Sequence, residues 1–223
     1  MNTERITTVL SPALTYDLID LDVARDELKI ASNDTSNDAF ISRGISQVSR
    51  VVANFCNRIL VAETVQDIIY PYRDAYPHQV PGGVEKILLS RYPVITLTSV
   101  TITDGGGTVT PLVQDTDFRL DADAGQLVRL NTASGYPVRW EPIMTTVVYT
   151  AGYDPIPPDL QDVTLRLLTA RFYQRGRDPT LRSQDQPGIG SRTYWVGGVP
   201  GVKGPYPEDV LALIDQYRVP VVA

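Results

Sequence analysis

Apolar residues Ile41, Ile45, Val48, Val52, Phe55 and Ile59 recur at alternating spacings of four and three, which puts them on one narrow stripe of a helix. That helix starts near Asp38, behind the polar break Ser32 to Asn37. A shorter helix over about Leu21 to Ile30 precedes it, with Asp20 placed to cap it and Asp22 in its first turn. The residues before Asp20 carry no clear pattern. From Val61 to Thr150 the period changes to two. Strands are expected at Thr64 to Tyr70, Lys86 to Leu89, Val94 to Thr103, Val109 to Val113, Asp117 to Leu120, Gln126 to Leu130 and Thr145 to Thr150. Asp104-Gly105-Gly106-Gly107 and Asp121 to Gly125 supply turns between them, short enough for hairpins but not for crossovers, so this region reads as antiparallel.

The β-branched run Thr145 to Thr150 then passes through Gly152 into Pro155, Pro157 and Pro158. Proline suits the first turn of a helix and no other part of one, and Asp159 sits where the positive end of the helix dipole favours a carboxylate. A third helix follows from Leu160 to Arg175, free of proline and glycine. At about 100° per residue, Leu160, Val163, Leu167 and Ala170 form one arc and Leu165, Leu168 and Phe172 a second, with Thr164, Arg171 and Arg175 between them. Either both arcs face one internal core, or one faces a neighbouring subunit. The glycine- and proline-rich stretch Asp178 to Pro205 reads as an arm with little secondary structure of its own, ordered by a partner. A last short helix starts at Pro207, with Glu208 and Asp209 in its first turn and Val210, Ile214 and Tyr217 on one face.

These elements specify an α+β fold: a small helical bundle with an inserted antiparallel β unit and an extended C-terminal arm ending in a short helix. The divisions expected are 1–60 for the N-terminal helices of the helical body, 61–150 for the β unit, 151–177 for the third helix completing the body, and 178–223 for the arm and terminal helix.

Composition narrows the function. A chain of 223 residues can bury a core of useful size, and a net charge of −6 argues against a dedicated nucleic-acid binder, which needs a basic face. It leaves room for a protein that merely surrounds DNA. Arg166, Arg171, Arg175, Arg177, Arg182 and Arg192 lie in a stretch whose only acids are Asp178 and Asp185; balance by acids elsewhere in the fold is the plainer reading, ahead of a partner's acidic groups or nucleic acid. Cys56 is the one cysteine, so there is no internal disulfide and no cysteine-rich zinc site. No stretch reaches the roughly 20 apolar residues that span a bilayer, and no secretory leader is visible. The expected setting is the cytoplasm until the chain joins an assembly.

Catalytic provision is poor. His78, the one histidine, lies in the loop-like Tyr76-Pro77-His78-Gln79-Val80-Pro81, and no nucleophile elbow exists. Cys56 follows Phe55 late in a helix and reads as a packed small side chain. Asp115, Asp117, Asp121 and Asp123 gather carboxylates as a calcium loop does, but no glutamate closes the required spacing. The glycine-rich pieces around Gly188 and Gly197 lack the lysine-serine/threonine ending of a phosphate loop. No catalytic residue, metal or cofactor is therefore expected. Tyr194-Trp195-Val196, an apolar patch within the arm, is the kind of anchor that orders on a partner.

Several strings, in order, resemble the head-tail connector, or adaptor, proteins of tailed bacteriophages and gene transfer agents. They are Asp20 to Ile30, Asp38-Ala39-Phe40-Ile41, Arg91-Tyr92-Pro93-Val94 with Thr98-Ser99-Val100-Thr101, Asp117 to Asp121 with Gly125-Gln126-Leu127, Tyr149 to Tyr153, and Leu213 to Arg218. The loop from Tyr72 to Gly83 and the arm around Gly188 to Gly204 depart from that pattern. The resemblance implies a homo-oligomeric ring, usually a dodecamer, that docks on the portal protein at the capsid-tail junction and extends the DNA channel without reading its sequence. It would also present the surface for a downstream connector (stopper) or tail component. By this analogy Tyr194, Trp195, Val196, Val210, Ile214, Tyr217 and Arg218 contact the portal, and Leu165, Leu168, Phe172, Arg171 and Arg175 make the ring contacts. Removing 183–223 is expected to spare the fold and abolish attachment. The alternatives are a non-catalytic surface module recognising carbohydrate or protein through a β-sandwich-like insertion, and an enzyme acting on nucleic acid or phosphate esters, for which no metal-binding carboxylate set can be assembled.

Overall fold

The computed structural model describes residues 4–70, 83–175, 183–186, 190–193 and 208–219. The chain forms two compact units, one from 1–15 with 59–154, the other from 16–58 with 155–223.

In the first unit the period-two pattern makes two antiparallel sheets. One has the order β1 (Glu4–Ser11), β2 (Glu63–Tyr70), β9 (Met144–Ala151), β4 (Val94–Thr103), β5 (Val109–Leu112). The other has β3 (Lys86–Leu88), β7 (Gln126–Leu130) and β6 (Phe118–Asp121), with β8 (Pro137–Val138) also paired to β7. Strands β2 and β9 alternate strictly, burying Val65 and Ile69 from one and Val147, Tyr149 and Ala151 from the other. From the second sheet Ile87, Phe118 and Leu127 join the same core, closed by Trp140, whose indole Nε1 donates to the Leu127 carbonyl at 3.1 Å. At the end of β9, Gly152 adopts φ +126°. A Cβ there would meet the Val61 carbonyl oxygen at 2.6 Å and the Ala62 backbone at 2.7 Å, so only glycine lets these segments touch.

In the second unit, α1 (Leu21–Glu27), α2 (Asp38–Cys56), α3 (Pro158–Tyr173) and α4 (Glu208–Asp215) pack together. The α2 stripe buries Ile41, Ile45, Val48 and Val52, with Gly44 where Leu168 of α3 approaches. The helix stops at Cys56 because Asn57 turns left-handed at φ 52°, so Ile59, although in phase with the stripe, lies beyond it. Asp20 occupies the cap position of α1 without a side-chain capping bond. Arg25 instead ties α1 to the start of α2 through Asp38, both of whose carboxylate oxygens its guanidinium engages. Helix α3 opens on Pro158 with Asp159 in its first turn, as the sequence implies.

Four strands depart from the sequence reading, one of them the two-residue β8 between the strands expected at Gln126 to Leu130 and Thr145 to Thr150. β1 precedes the first expected element, and its side chains from Arg5 to Ser11 are exposed. A strand buried on neither face leaves no alternation to read. Within the expected arm, β10 (Ser183–Gln186) and β11 (Gly190–Thr193) form an antiparallel pair.

Candidate assembly surface

Helix α4 lies in the helical core. Val210 and Ile214 are each only 2 % exposed, and the Cys56 thiol sits 3.8 Å from the Ile214 carbonyl oxygen. Burial pushes the Cys56 thiol pKa up to about 11, which keeps it protonated and unreactive. Tyr217 donates its hydroxyl to Asp159 Oδ2 at 2.9 Å, and Gln216 donates to the same oxygen at 2.9 Å. Arg218 lies over the Phe55 ring at 5.4 Å, its guanidinium 4.0 Å from the Asp215 carboxylate. Truncation at 183 would thus remove packed core as well as the arm, which corrects the expectation that it spares the fold. Tyr194, Trp195 and Val196 lie outside the described residues.

The hydrogen bonds from Tyr217 and Gln216, with that of its own backbone amide, hold the Asp159 carboxyl below its ordinary range. The sign follows directly: a depressed folded-state pKa contributes stability above the unfolded value of about 4, lost as pH falls through the lower folded value. Tyr217→Phe is expected to raise the Asp159 pKa toward the ordinary value, read by NMR titration, and to speed hydrogen exchange along α4.

On α3 both arcs turn inward. Leu160 and Val163 are buried from the first, and Leu168 from the second lies in the core with Ile19, Ala24, Leu28, Ile41 and Ile45. Leu165 and Phe172 are half-buried against that core. Phe172 meets the edge of Phe40 at 6.1 Å between ring centroids. Over the Phe40 ring lies the Arg175 guanidinium at 4.7 Å, donating to Asn37 Oδ1 at 2.8 Å. Arg171, Tyr173 and Arg175 remain exposed at the end of the helix.

In the first unit Asp67, fully buried on β2, accepts four hydrogen bonds. Its Oδ1 accepts from the Thr7 hydroxyl at 2.6 Å and the Ser90 hydroxyl at 2.8 Å; its Oδ2 accepts from the Ser90 amide and the Tyr149 hydroxyl, each at 2.7 Å. Burial, with Asp67 beside it, pushes the Tyr149 phenol pKa well above its ordinary value, so it stays a donor. The buried Glu63 accepts from Arg91 Nε at 3.0 Å. These hydrogen bonds form a clasp joining β1, β2, β9 and the segment after β3. The sequence reading missed it, although a carboxylate at an inward position between Val65 and Ile69 is a visible signal.

Two of the acidic residues weighed for calcium hold turns. Asp117 Oδ2 accepts from the Val113 amide at 2.8 Å and Asp121 Oδ1 from the Ala124 amide at 3.1 Å. Among the described residues no group of three or more histidine, cysteine or acidic side chains is placed to hold a metal ion. His78 lies outside them. Trp140 is a core residue.

No family model and no curated protein sequence matches the chain. Chains in several solved structures, three of which follow, share its fold along nearly the whole length. The neck of an empty GTA particle computed with C6 symmetry contains a chain that is 17% identical, aligned over 98% of this chain and 97% of that one, with a TM-score of 0.55. A chain in the virion of a native gene transfer agent (GTA) particle is 16% identical over the same shares, with a TM-score of 0.53. A third, in the neck of a native GTA particle computed with C12 symmetry, is 18% identical with a TM-score of 0.50.

Proposed function

We propose that this chain is a structural virion protein of the particle neck, and more specifically a connector or adaptor subunit. Copies form a ring, a dodecamer by the family resemblance, that docks on the portal protein at the capsid-tail junction. The ring extends the DNA channel and offers the attachment surface for the next connector or tail component, after assembly in the host cytoplasm. The observation carrying this reading is the likeness to neck chains over 98% of the length, both units included. The cyclic symmetry named for two of those particles supports a closed ring of identical copies. The mechanism is binding: many weak contacts closed around a ring give a stable joint without large affinity per copy.

Within this reading the exposed end of α3, with Arg171, Arg175 and the accessible parts of Leu165 and Phe172, faces a neighbouring copy; buried Leu168 supports that surface from beneath. Tyr194, Trp195 and Val196, with Tyr217 and Arg218 beyond the packed Val210 and Ile214, engage the portal. Arg171→Glu is expected to leave stability within about 0.5 kcal/mol of the parent, as an exposed substitution does. The same change should sharply reduce ring formation in native mass spectrometry. The governing test is the oligomeric mass of the full chain with and without portal, together with imaging of the particle vertex. A chain that stays monomeric with portal and is absent from the vertex overturns the proposal.

A further inference from the structure

Strand β1 is an open edge. It pairs with β2 from Glu4 to Ser11, and among the described residues no strand pairs with its other side. Its apolar side chains face solvent: Ile6 is 52% exposed, Val9 42% and Leu10 51%. The register shifts between Val9 and Ser11, so the regular edge runs from Glu4 to Val9. An apolar edge of that length is a template for another strand, and stable proteins usually blunt such edges with proline or short length. The opposite edge of the same sheet is blunted in this way, since β5 is short and contains Pro111, which has no amide hydrogen to offer.

The chain also carries a hairpin in need of support. Strands β10 and β11 pair from Ser183↔Thr193 to Gln186↔Gly190 and, among the described residues, with nothing else. A lone two-stranded ribbon is marginal in water and becomes stable with a third strand or a packed face. Copies arranged around a cyclic axis meet through two different surfaces, one on each neighbour. An open edge and an unsupported hairpin are two such surfaces.

From these observations we infer that the β10–β11 hairpin of one copy adds to the β1 edge of a second copy, continuing its sheet head to tail between subunits. This rests on the ring reading above and adds a second joint to the one proposed at the end of α3. Backbone pairing supplies the attachment, and the apolar side chains of Ile6, Val9 and Leu10 are covered in the process.

Two chains with different tags test it, one carrying a single added cysteine at Ile6, Thr8 or Leu10, the other at Gln184 or Arg192, with Thr110→Cys on β5 as control. The native Cys56 is buried and does not compete. Mixed rings are assembled with portal and mildly oxidised. Register-matched β1 and hairpin pairs are expected to give at least tenfold more mixed-tag disulfide than the control. The double variant I6K/L10K should keep the parent melting temperature and lose at least tenfold in ring formation. Rings that form but cross-link to Thr110→Cys or not at all, or that tolerate I6K/L10K, overturn this joint and leave the ring reading standing. Absence of any ring with the parent chain overturns both.

Discussion

Gly152→Ala is expected to destabilise the β unit by about 3–5 kcal/mol, combining left-handed strain with forced separation of packed backbone. The added methyl would sit 2.6 Å from the Val61 carbonyl oxygen and 2.7 Å from Ala62 Cα and N, atoms with no rotamer to move away by. Relief requires shifting the segment that carries the bridge between Val61 and Tyr153 and the bond from the Gly152 amide to the Pro93 carbonyl, 2.9 Å long. In a Trp195→Phe background, Trp140 fluorescence reports on this unit alone, because its indole is sealed in that core. A melting shift on the order of 15 °C or more is expected for a unit of about 100 residues. A shift of a degree or two would mean that the backbone there is softer than its contacts imply.

Asp67→Ala is expected to cost a comparable amount, about 3–5 kcal/mol, because four donors lose their acceptor, the buried Tyr149 hydroxyl among them. Asp67→Asn separates charge from hydrogen bonding. Its amide oxygen can take the place of Oδ2 facing the Ser90 amide and the Tyr149 hydroxyl, while its NH₂ faces the Thr7 and Ser90 hydroxyls, which are able to accept. A loss of about 1–2 kcal/mol is expected for that variant. Chemical denaturation of the two side by side decides the matter, and equal losses would show that the negative charge, not the bonding pattern, holds the clasp.

What the sequence discloses follows from how each residue is buried. The α2 stripe is legible because Ile41, Ile45, Val48 and Val52 face one core, and β2 and β9 because every second residue turns inward. The turn from β9 into α3 is legible because proline and glycine have few uses. β1 is hidden because it buries neither face, and the end of α2 is hidden because one left-handed residue, Asn57, overrides an apolar residue in phase with the stripe. The two arcs of α3 leave open whether one meets another molecule, and tertiary contacts alone place Leu168 inside. Among the candidate contact residues, Arg175 illustrates the same limit: its partners Phe40 and Asn37 come from the far end of the chain, where no local spacing points to them. Asp67 was legible in principle, as a carboxylate at an inward-facing position.

Each unit is assembled from two separated stretches of chain, with crossings near residues 15, 58 and 154. The order of synthesis therefore matters. β1 leaves the ribosome first and has no partner until β2 follows more than fifty residues later, with α1 and α2 translated in between. Helices α1 and α2 in turn wait for α3, which comes after the entire β insertion. No nascent fragment shorter than about the first 155 residues holds all the segments of the β unit, and the helical unit must wait longer still. A hydrophobic strand exposed for that interval invites aggregation, and pairing across so long a separation makes slow, late folding the natural companion of this topology.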